Sequence, residues 1–251
     1  MHHLHYEKFG TGPKTLIAFH GFGQDANIFK AYTPQLNAYT VYSFDLFFHG
    51  QSIWNAKHRL THHLWAALFK EFLKYQNIAG FDVIAYSLGG RFALSLFRAY
   101  PNQISSLTLI APDGLRPHFW YRMATATRLN RLFFAFLMRN RFTFIGLAKT
   151  LNRLGLLSTR LLKFTEHSLL PEDAGMRVFK SWTIFSGLSM KRGMIEQLLN
   201  QNKVSVILGN EDVVIAPKRL SVIQKACPKA NWEIINAKHH QVLKRYLTQK
   251  E

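Results

Sequence analysis

The sequence predicts an α/β fold, a mostly parallel central sheet flanked by helices, and three observations carry that expectation. Short β-branched or aromatic runs alternate along the chain with longer amphipathic segments, the pattern of βα units around a parallel sheet. The 251 residues suffice for one large domain with a well-buried core. Finally, the stretch DVIAYSLGGRFAL, residues 82–94, runs an apolar strand straight into a serine and two glycines.

In chain order, the N-terminal MHHLHYEKFGTGPKTLIAFHG has no basic segment followed by an apolar core and a small-residue cleavage site, so it does not read as a secretory signal. Its histidines alternate with apolar residues, as in an edge strand. Strands are expected at residues 15–19, 40–44, 81–86, 106–110, 203–208 and 232–235. Between the second and third, HRLTHHLWAALFKEFLKYQ places Leu60, Leu64, Leu68, Phe72 and Tyr75 at helical spacing, a stripe expected to face the core. After residue 88 the chain reads as a helix that stops near Pro101, followed by another strand. Gly89 and Gly90 would let that helix approach the sheet closely.

Composition narrows the class without naming a function. The 32 Lys and Arg against 14 Asp and Glu give a formal charge of +18, which attracts nucleic acid, anionic lipid or anionic substrates alike. Zinc-finger spacing, an RNA-binding aromatic signature and a P-loop are all missing, so no nucleic acid partner is expected and the charge reads first as a solvated surface. The single cysteine, Cys227, forms no intrachain disulfide, and no uncharged apolar run approaches the ~20 residues that span a bilayer, so a cytoplasmic location is expected. The histidines and acids show no metal-ligand spacing, and neither a metal nor a cofactor is expected.

A sharp strand-to-helix turn at Ser87 would expose the hydroxyl and set the Leu88 N–H at a helix N-terminus, where developing negative charge is stabilised. Four stretches, in order, then resemble one family. LIAFHGFGQ resembles the His-Gly oxyanion loop of the α/β-hydrolases, YSFDLFFHGQS their D-x-x-G-x-G-x-S loop, IAYSLGG their nucleophile elbow and VILGNEDVVIAP their acid-bearing turn. The resemblance covers both flanks of the chain. It departs from the family at Ala85, where the elbow favours glycine, and at Phe48, where a different turn of the second loop is expected.

What the resemblance implies is a Ser-Asp-His order of nucleophile, acid and base. Ser87 would be the nucleophile and Asp212 the acid, with Glu211 as its neighbouring alternative. Alignment of HHQVLK with a Gly-His-x-x-Leu pattern makes His240 the base, opposite Leu243 as the apolar follower, with His239 the rival. The oxyanion donors would be the N–H groups of Phe22 and Leu88, and His20 would hold the oxyanion loop rather than act as a base. A serine at the elbow, in place of aspartate, disfavours the members that form alkyl-enzyme esters.

The same resemblance divides the chain into a core of residues 1–111 and 203–251 and a helical cap of residues 112–202, inserted after the sixth strand of that fold. The cap would cover the serine and choose the acyl substrate. Hydrolysis of a carboxylic ester or related acyl bond is the expected activity for a small-molecule substrate. The alternatives are a C–C bond hydrolase, a lyase or transferase on the same residues, and a member that retains the fold without the chemistry. Residues 132–138 form an unbroken apolar run bracketed by Arg131 and Arg139. It reads first as packing on the core domain and lining an apolar pocket, and second as a basic face that meets anionic lipid or an anionic leaving group.

Overall fold

Strand-forming residues place seven strands in one sheet of the computed structural model, which describes residues 2–117, 119–169 and 173–249. They are β1 (Tyr6–Phe9), β2 (Lys14–Phe19), β3 (Tyr39–Phe44), β4 (Phe81–Tyr86), β5 (Ile104–Ile110), β6 (Val204–Gly209) and β7 (Asn231–Ile235). The sheet order is β1-β3-β2-β4-β5-β6-β7, with β1 antiparallel to β3 and every other pair parallel. β1 is an edge strand, but it begins after the N-terminal histidines: His2, His3 and His5 lie before Tyr6, and His3 makes only an isolated bridge to Ile53. The chain runs from β2 outward to β3 and then crosses back to β4, so the strand order reverses between β2 and β4. That switch point is where the loops at the carboxyl ends of the strands leave a crevice for a ligand.

The chain divides into two compact units, Met1–Arg116 with Gly187–Glu251, and Pro117–Ser186. In the first, α1 (His62–Tyr75), α2 (Gly89–Ala99) and α8 (Arg192–Leu199) pack side by side, α2 in the middle. Under α1 and α2 lies an aromatic layer in which Phe19, Trp65, Phe69 and Phe92 are fully buried. The Trp65 indole N–H donates to the Phe92 carbonyl at 3.1 Å, satisfying the layer's polar atom. The buried face of α1 is therefore Trp65, Phe69 and Leu73, one residue round from the expected stripe; Leu64, Leu68 and Phe72 sit at its margin and Tyr75 is exposed. Both stripes are apolar, and the bulkier aromatics fill the space against the sheet. On a second core cluster, α10 (Val242–Thr248) buries Val242, Leu243, Tyr246 and Leu247 with Ile84, Ile207 and Ile235 of the strands. The remaining helix of this unit is α9 (Pro217–Ala226), between β6 and β7.

The second unit carries α3 (Phe119–Ala126), α4 (Arg128–Arg139), α5 (Arg141–Arg153), α6 (Thr159–Ser168) and α7 (Ala174–Ile184). These helices follow β5 of this sheet. The unit is also shorter than residues 112–202: α8 buries Ile195, Leu198 and Leu199 in the first unit, so the chain has returned to the sheet by Gly187. Glu172 lies outside the described residues.

Candidate active site

Ser87 sits between β4 and α2 with φ 47°, a left-handed conformation that costs a non-glycine residue on the order of 1–3 kcal/mol and persists only where its surroundings enforce it. They do so through the backbone. The Ser87 N–H donates to the Ile110 carbonyl at 2.9 Å, and the Ser87 carbonyl accepts from Gly90 N–H at 2.9 Å and Asp113 N–H at 2.8 Å. The turn needs both glycines after it. A Cβ at Gly89 would stand 2.5 Å from the Phe19 carbonyl oxygen, and one at Gly90 would stand 2.7 Å from the Asp113 carbonyl oxygen. Ala85 raises no such conflict, since its methyl is fully buried on a strand position between Phe19 and Leu109.

Behind the turn, Arg91 of α2 is buried and forks onto Asp113, Nε to Oδ2 at 2.7 Å and Nη2 to Oδ1 at 3.1 Å. Asp113 Oδ1 also accepts the Gly114 N–H at 2.7 Å. A bidentate guanidinium–carboxylate pair is among the strongest hydrogen-bonded contacts a protein makes. This one ties the loop after β5 to the first turn of α2, on either side of the serine.

The histidine that meets Ser87 is His239. Its Nε2 lies 3.0 Å from Ser87 Oγ and its Nδ1 lies 2.6 Å from Asp212 Oδ2. Because a carboxylate only accepts, Nδ1 carries the proton and Nε2 presents its lone pair to the serine hydroxyl. His240, favoured by spacing, is exposed and takes no part in this chain. The backbone sets which histidine turns inward. The Ala237 carbonyl accepts the Glu211 N–H at 3.2 Å, fixing the loop beside the acid turn, and the 3-10 turn His239–Gln241 begins two residues later. In such a turn each residue rotates by about 120° from the last, so only one of two adjacent histidines can face the serine. Leu243 then follows the inward histidine by four residues instead of three, and is buried as expected.

Asp212 is buried, and Glu211 beside it is exposed. Asp212 Oδ1 accepts the Val214 and Ile215 N–H groups, each at 2.8 Å, leaving Oδ2 to the imidazole. Tyr86, which the sequence did not single out, supports the same ring: its hydroxyl donates to the His239 carbonyl at 2.8 Å, and its ring stacks on the imidazole at 5.6 Å. Burial, with the Asp212 charge adding to it, holds the Tyr86 phenol well above its ordinary pKa, so it stays a neutral donor.

The loop after β2 forms the facing wall of the switch point. His20 is fully buried, donates from Nδ1 to the Gly21 carbonyl at 2.7 Å and accepts the Leu46 N–H on Nε2 at 3.0 Å. Burial pushes its pKa down to about 4, so the ring is neutral and acts as a brace. The Gly21 N–H is in turn held by Gln24 Oε1 at 2.9 Å. Among the described residues, the N–H groups of Phe22, next in the loop, and of Leu88, the N-cap of α2, donate to no protein acceptor.

Leu46 belongs to the second loop, which Asp45 organises. Its Oδ1 accepts the Ala26 N–H at 2.7 Å, its Oδ2 accepts the Gln51 N–H at 2.8 Å, and His5 Nδ1 lies 2.9 Å from Oδ2. Phe48, where glycine is usual, takes φ 69°, the left-handed region that glycine favours, so the phenylalanine is held in a strained conformation. Among the described residues no group of three His, Cys, Asp or Glu could hold a metal ion, and no helix is long and apolar enough to cross a membrane.

A strained serine turn at the switch point, chained through an imidazole to a buried carboxylate, agrees with the comparison to known families, in which the model of the alpha/beta hydrolase fold matches residues 14–246. The chain belongs to the α/β-hydrolase family. Among curated proteins, this hydrolase-family chain is 33% identical over 115 residues to the dihydrolipoyllysine-residue acetyltransferase component of the acetoin cleaving system of Cupriavidus necator, a match covering 44% of this chain and 30% of that protein. It is 29% identical over 118 residues to lipase LipV of Mycobacterium tuberculosis, covering 45% of this chain and 44% of the lipase. The chain thus spans less than half the length of these relatives.

Solved structures of the same fold cover the whole chain at low identity. An α/β hydrolase from a Medee basin deep-sea metagenome superimposes with a TM-score of 0.71 at 15% identity, over 99% of this chain and 92% of that one. A thermophilic esterase from Thermogutta terrifontis gives 0.68 at 18% identity, over 99% and 91%.

Proposed function

We propose that the protein is a serine hydrolase that cleaves a carboxylic ester or related acyl bond of a small molecule. One observation carries this reading: the hydrogen-bonded chain from Ser87 Oγ through His239 to the buried Asp212, at a turn whose conformation is held by its surroundings. In that arrangement Ser87 Oγ attacks the acyl carbon as its proton passes to His239 Nε2. Asp212 keeps the imidazole in the tautomer that can accept that proton and stabilises the imidazolium that results. The unspent N–H groups of Phe22 and Leu88 would bind the oxyanion, Leu88 from the N-terminus of α2. Collapse expels the leaving group, which takes the proton from His239. Water then attacks the acyl-enzyme, giving its proton to His239, and collapse releases the acid as His239 returns that proton to Ser87 Oγ.

The lipase and esterase among the similar proteins favour an ester over other acyl substrates. Treatment with a fluorophosphonate probe tests the reading, because such a probe labels an activated serine and ignores an inert one. The expected result is stoichiometric labelling at Ser87, lost together with ester turnover in Ser87→Ala, where removal of a triad member costs on the order of 10⁴–10⁶ in rate. A folded wild-type protein that neither labels nor turns over activated esters would overturn it and leave an inert member of the fold.

A further inference from the structure

Helix α4 is apolar on two faces, and its own unit covers one of them. Phe134, Leu137 and Met138 are buried in a small core with Ala174, Phe179 and Trp182 of the neighbouring α7 segment. The other face lies open: Leu129 is 75% exposed, Leu132 61%, Phe133 58% and Phe136 54%. At about 100° per residue these four fall within a single arc roughly 100° wide, the width of a helix face that is normally buried. Arg128 and Arg139, both exposed, border the arc on its Leu132 side.

The electrostatics of the unit point the same way. Residues 117–186 carry eleven Lys and Arg against three acidic residues. Of those, Glu166 is paired with Lys149 at 3.4 Å and Asp173 with Arg177 at 2.5 Å. No acidic residue occurs anywhere on α4 or α5, so the arginines beside the apolar arc face no local counter-charge along these helices.

We propose that this face of α4 docks on the surface of an anionic phospholipid bilayer. Leu129, Leu132, Phe133 and Phe136 enter the boundary between headgroups and acyl chains, and Arg128 and Arg139 engage the headgroup phosphates. A second copy of the chain fits the face poorly, because two such patches would bring arginine against arginine. The arc also has no polar side chain with which a protein partner could fix a hydrogen-bond register, whereas a fluid apolar layer beneath a sheet of phosphates needs none. Docking of this kind stands apart from the chemistry at Ser87 and does not depend on it.

Flotation of the purified full chain with vesicles tests the inference. The arms are phosphatidylcholine alone and phosphatidylcholine with phosphatidylglycerol, each at about 0.05 M and 0.5 M salt, across which screening shortens severalfold. Binding is expected to the phosphatidylglycerol vesicles at low salt and to fall steeply at high salt. Each surface-proximal arginine is worth about fivefold in affinity, so Arg128→Glu with Arg139→Glu should weaken binding by at least 25-fold, roughly. Phe133→Glu with Phe136→Glu should abolish it. All four side chains are exposed, and an unchanged thermal unfolding midpoint shows that the variants remain folded. Absence of binding to anionic vesicles at low salt overturns the proposal, as does equal binding to neutral vesicles. So does a concentration-dependent dimer, seen by sedimentation, that Phe133→Glu with Phe136→Glu dissociates without any vesicle binding by the wild type.

Discussion

The main-chain N–H of Asp113 donates to the carbonyl oxygen of Ser87 at 2.8 Å, joining the loop after β5 to the strained residue at the end of β4. Ser87 cannot relax to an ordinary backbone conformation while that loop is held, and Arg91 is what holds it. Arg91 is buried, so removing the charge of Asp113 weakens the bidentate pairing of a guanidinium held out of water. Asp113→Asn should destabilise the protein by about 2 kcal/mol in urea denaturation, the scale of a charge-assisted hydrogen bond whose carboxylate is partly exposed. It should also slow fluorophosphonate labelling per folded molecule. The double variant Arg91→Met, Asp113→Asn, which removes both charges, should recover most of the stability. A double variant as unstable as the single one would show that the pair is not the source of the effect.

The two adjacent histidines give a sharper comparison. His239 is hydrogen-bonded to both Ser87 and Asp212, and His240 is exposed. On an activated ester, His239→Gln should lower kcat by a factor on the order of 10⁴ or more, while His240→Gln should remain within about twofold of wild type, as an exposed residue outside the chain would. The reverse ranking would move the base to His240 and contradict the observed hydrogen bonds.

For the acid, burial separates neighbours in the same way. Asp212→Asn removes the charge facing the imidazolium and offers its amide in place of an acceptor, favouring the wrong tautomer, so kcat should fall by about 10⁴. Glu211→Gln, on an exposed side chain, should leave kcat close to normal. Kinetics of both variants on one ester at pH 7 decide the matter, and equal losses would count against Asp212 as the specific partner of His239.

These residues differ, for physical reasons, in how far local sequence specifies them. A strand that ends in serine followed by Gly89 and Gly90 announces its turn locally, because both glycines answer to close backbone approach by residues 19 and 113. The acid follows from the same logic: Asp212 N–H turns back onto the Gly209 carbonyl at 3.2 Å, and a Cβ at Gly209 would stand 2.3 Å from the Ala237 carbonyl oxygen. The histidine does not follow from spacing, since a tertiary bond between Glu211 and Ala237 sets where the 3-10 turn begins. The Arg91–Asp113 pair spans 22 residues and exists only because β4 and β5 are neighbours in the sheet. At Phe48 the residue type alone gives no sign of the left-handed φ of 69° that the loop around Asp45 contains. The helical unit shows in the sequence as extra length and apolar pattern, but its end does not, because α8 is as amphipathic as the helices before it.

His20 makes the fold sensitive to acid at a point that also shapes the site. Its folded pKa of about 4 lies below the ordinary 6.5 because burial disfavours the imidazolium. The unfolded chain therefore binds more protons than the folded one between those values, and stability falls as pH drops from 6.5 towards 4. Integrated over that window, the contribution present above pH 6.5 and lost by pH 4 is about 3 kcal/mol. Protonation would also place a donor on Nε2, where the Leu46 N–H now donates, and so break the brace between the β2 loop and the Asp45 loop. His20→Gln keeps an uncharged polar side chain at the position but cannot titrate. It should be less stable than wild type at pH 7, where the imidazole packs and bonds best, with the gap closing by about 3 kcal/mol as pH is lowered to 4. Urea denaturation of both proteins at pH 7, 5.5 and 4 measures this. Parallel stability curves, with a gap that does not change with pH, would mean that His20 is not the group whose protonation weakens the fold.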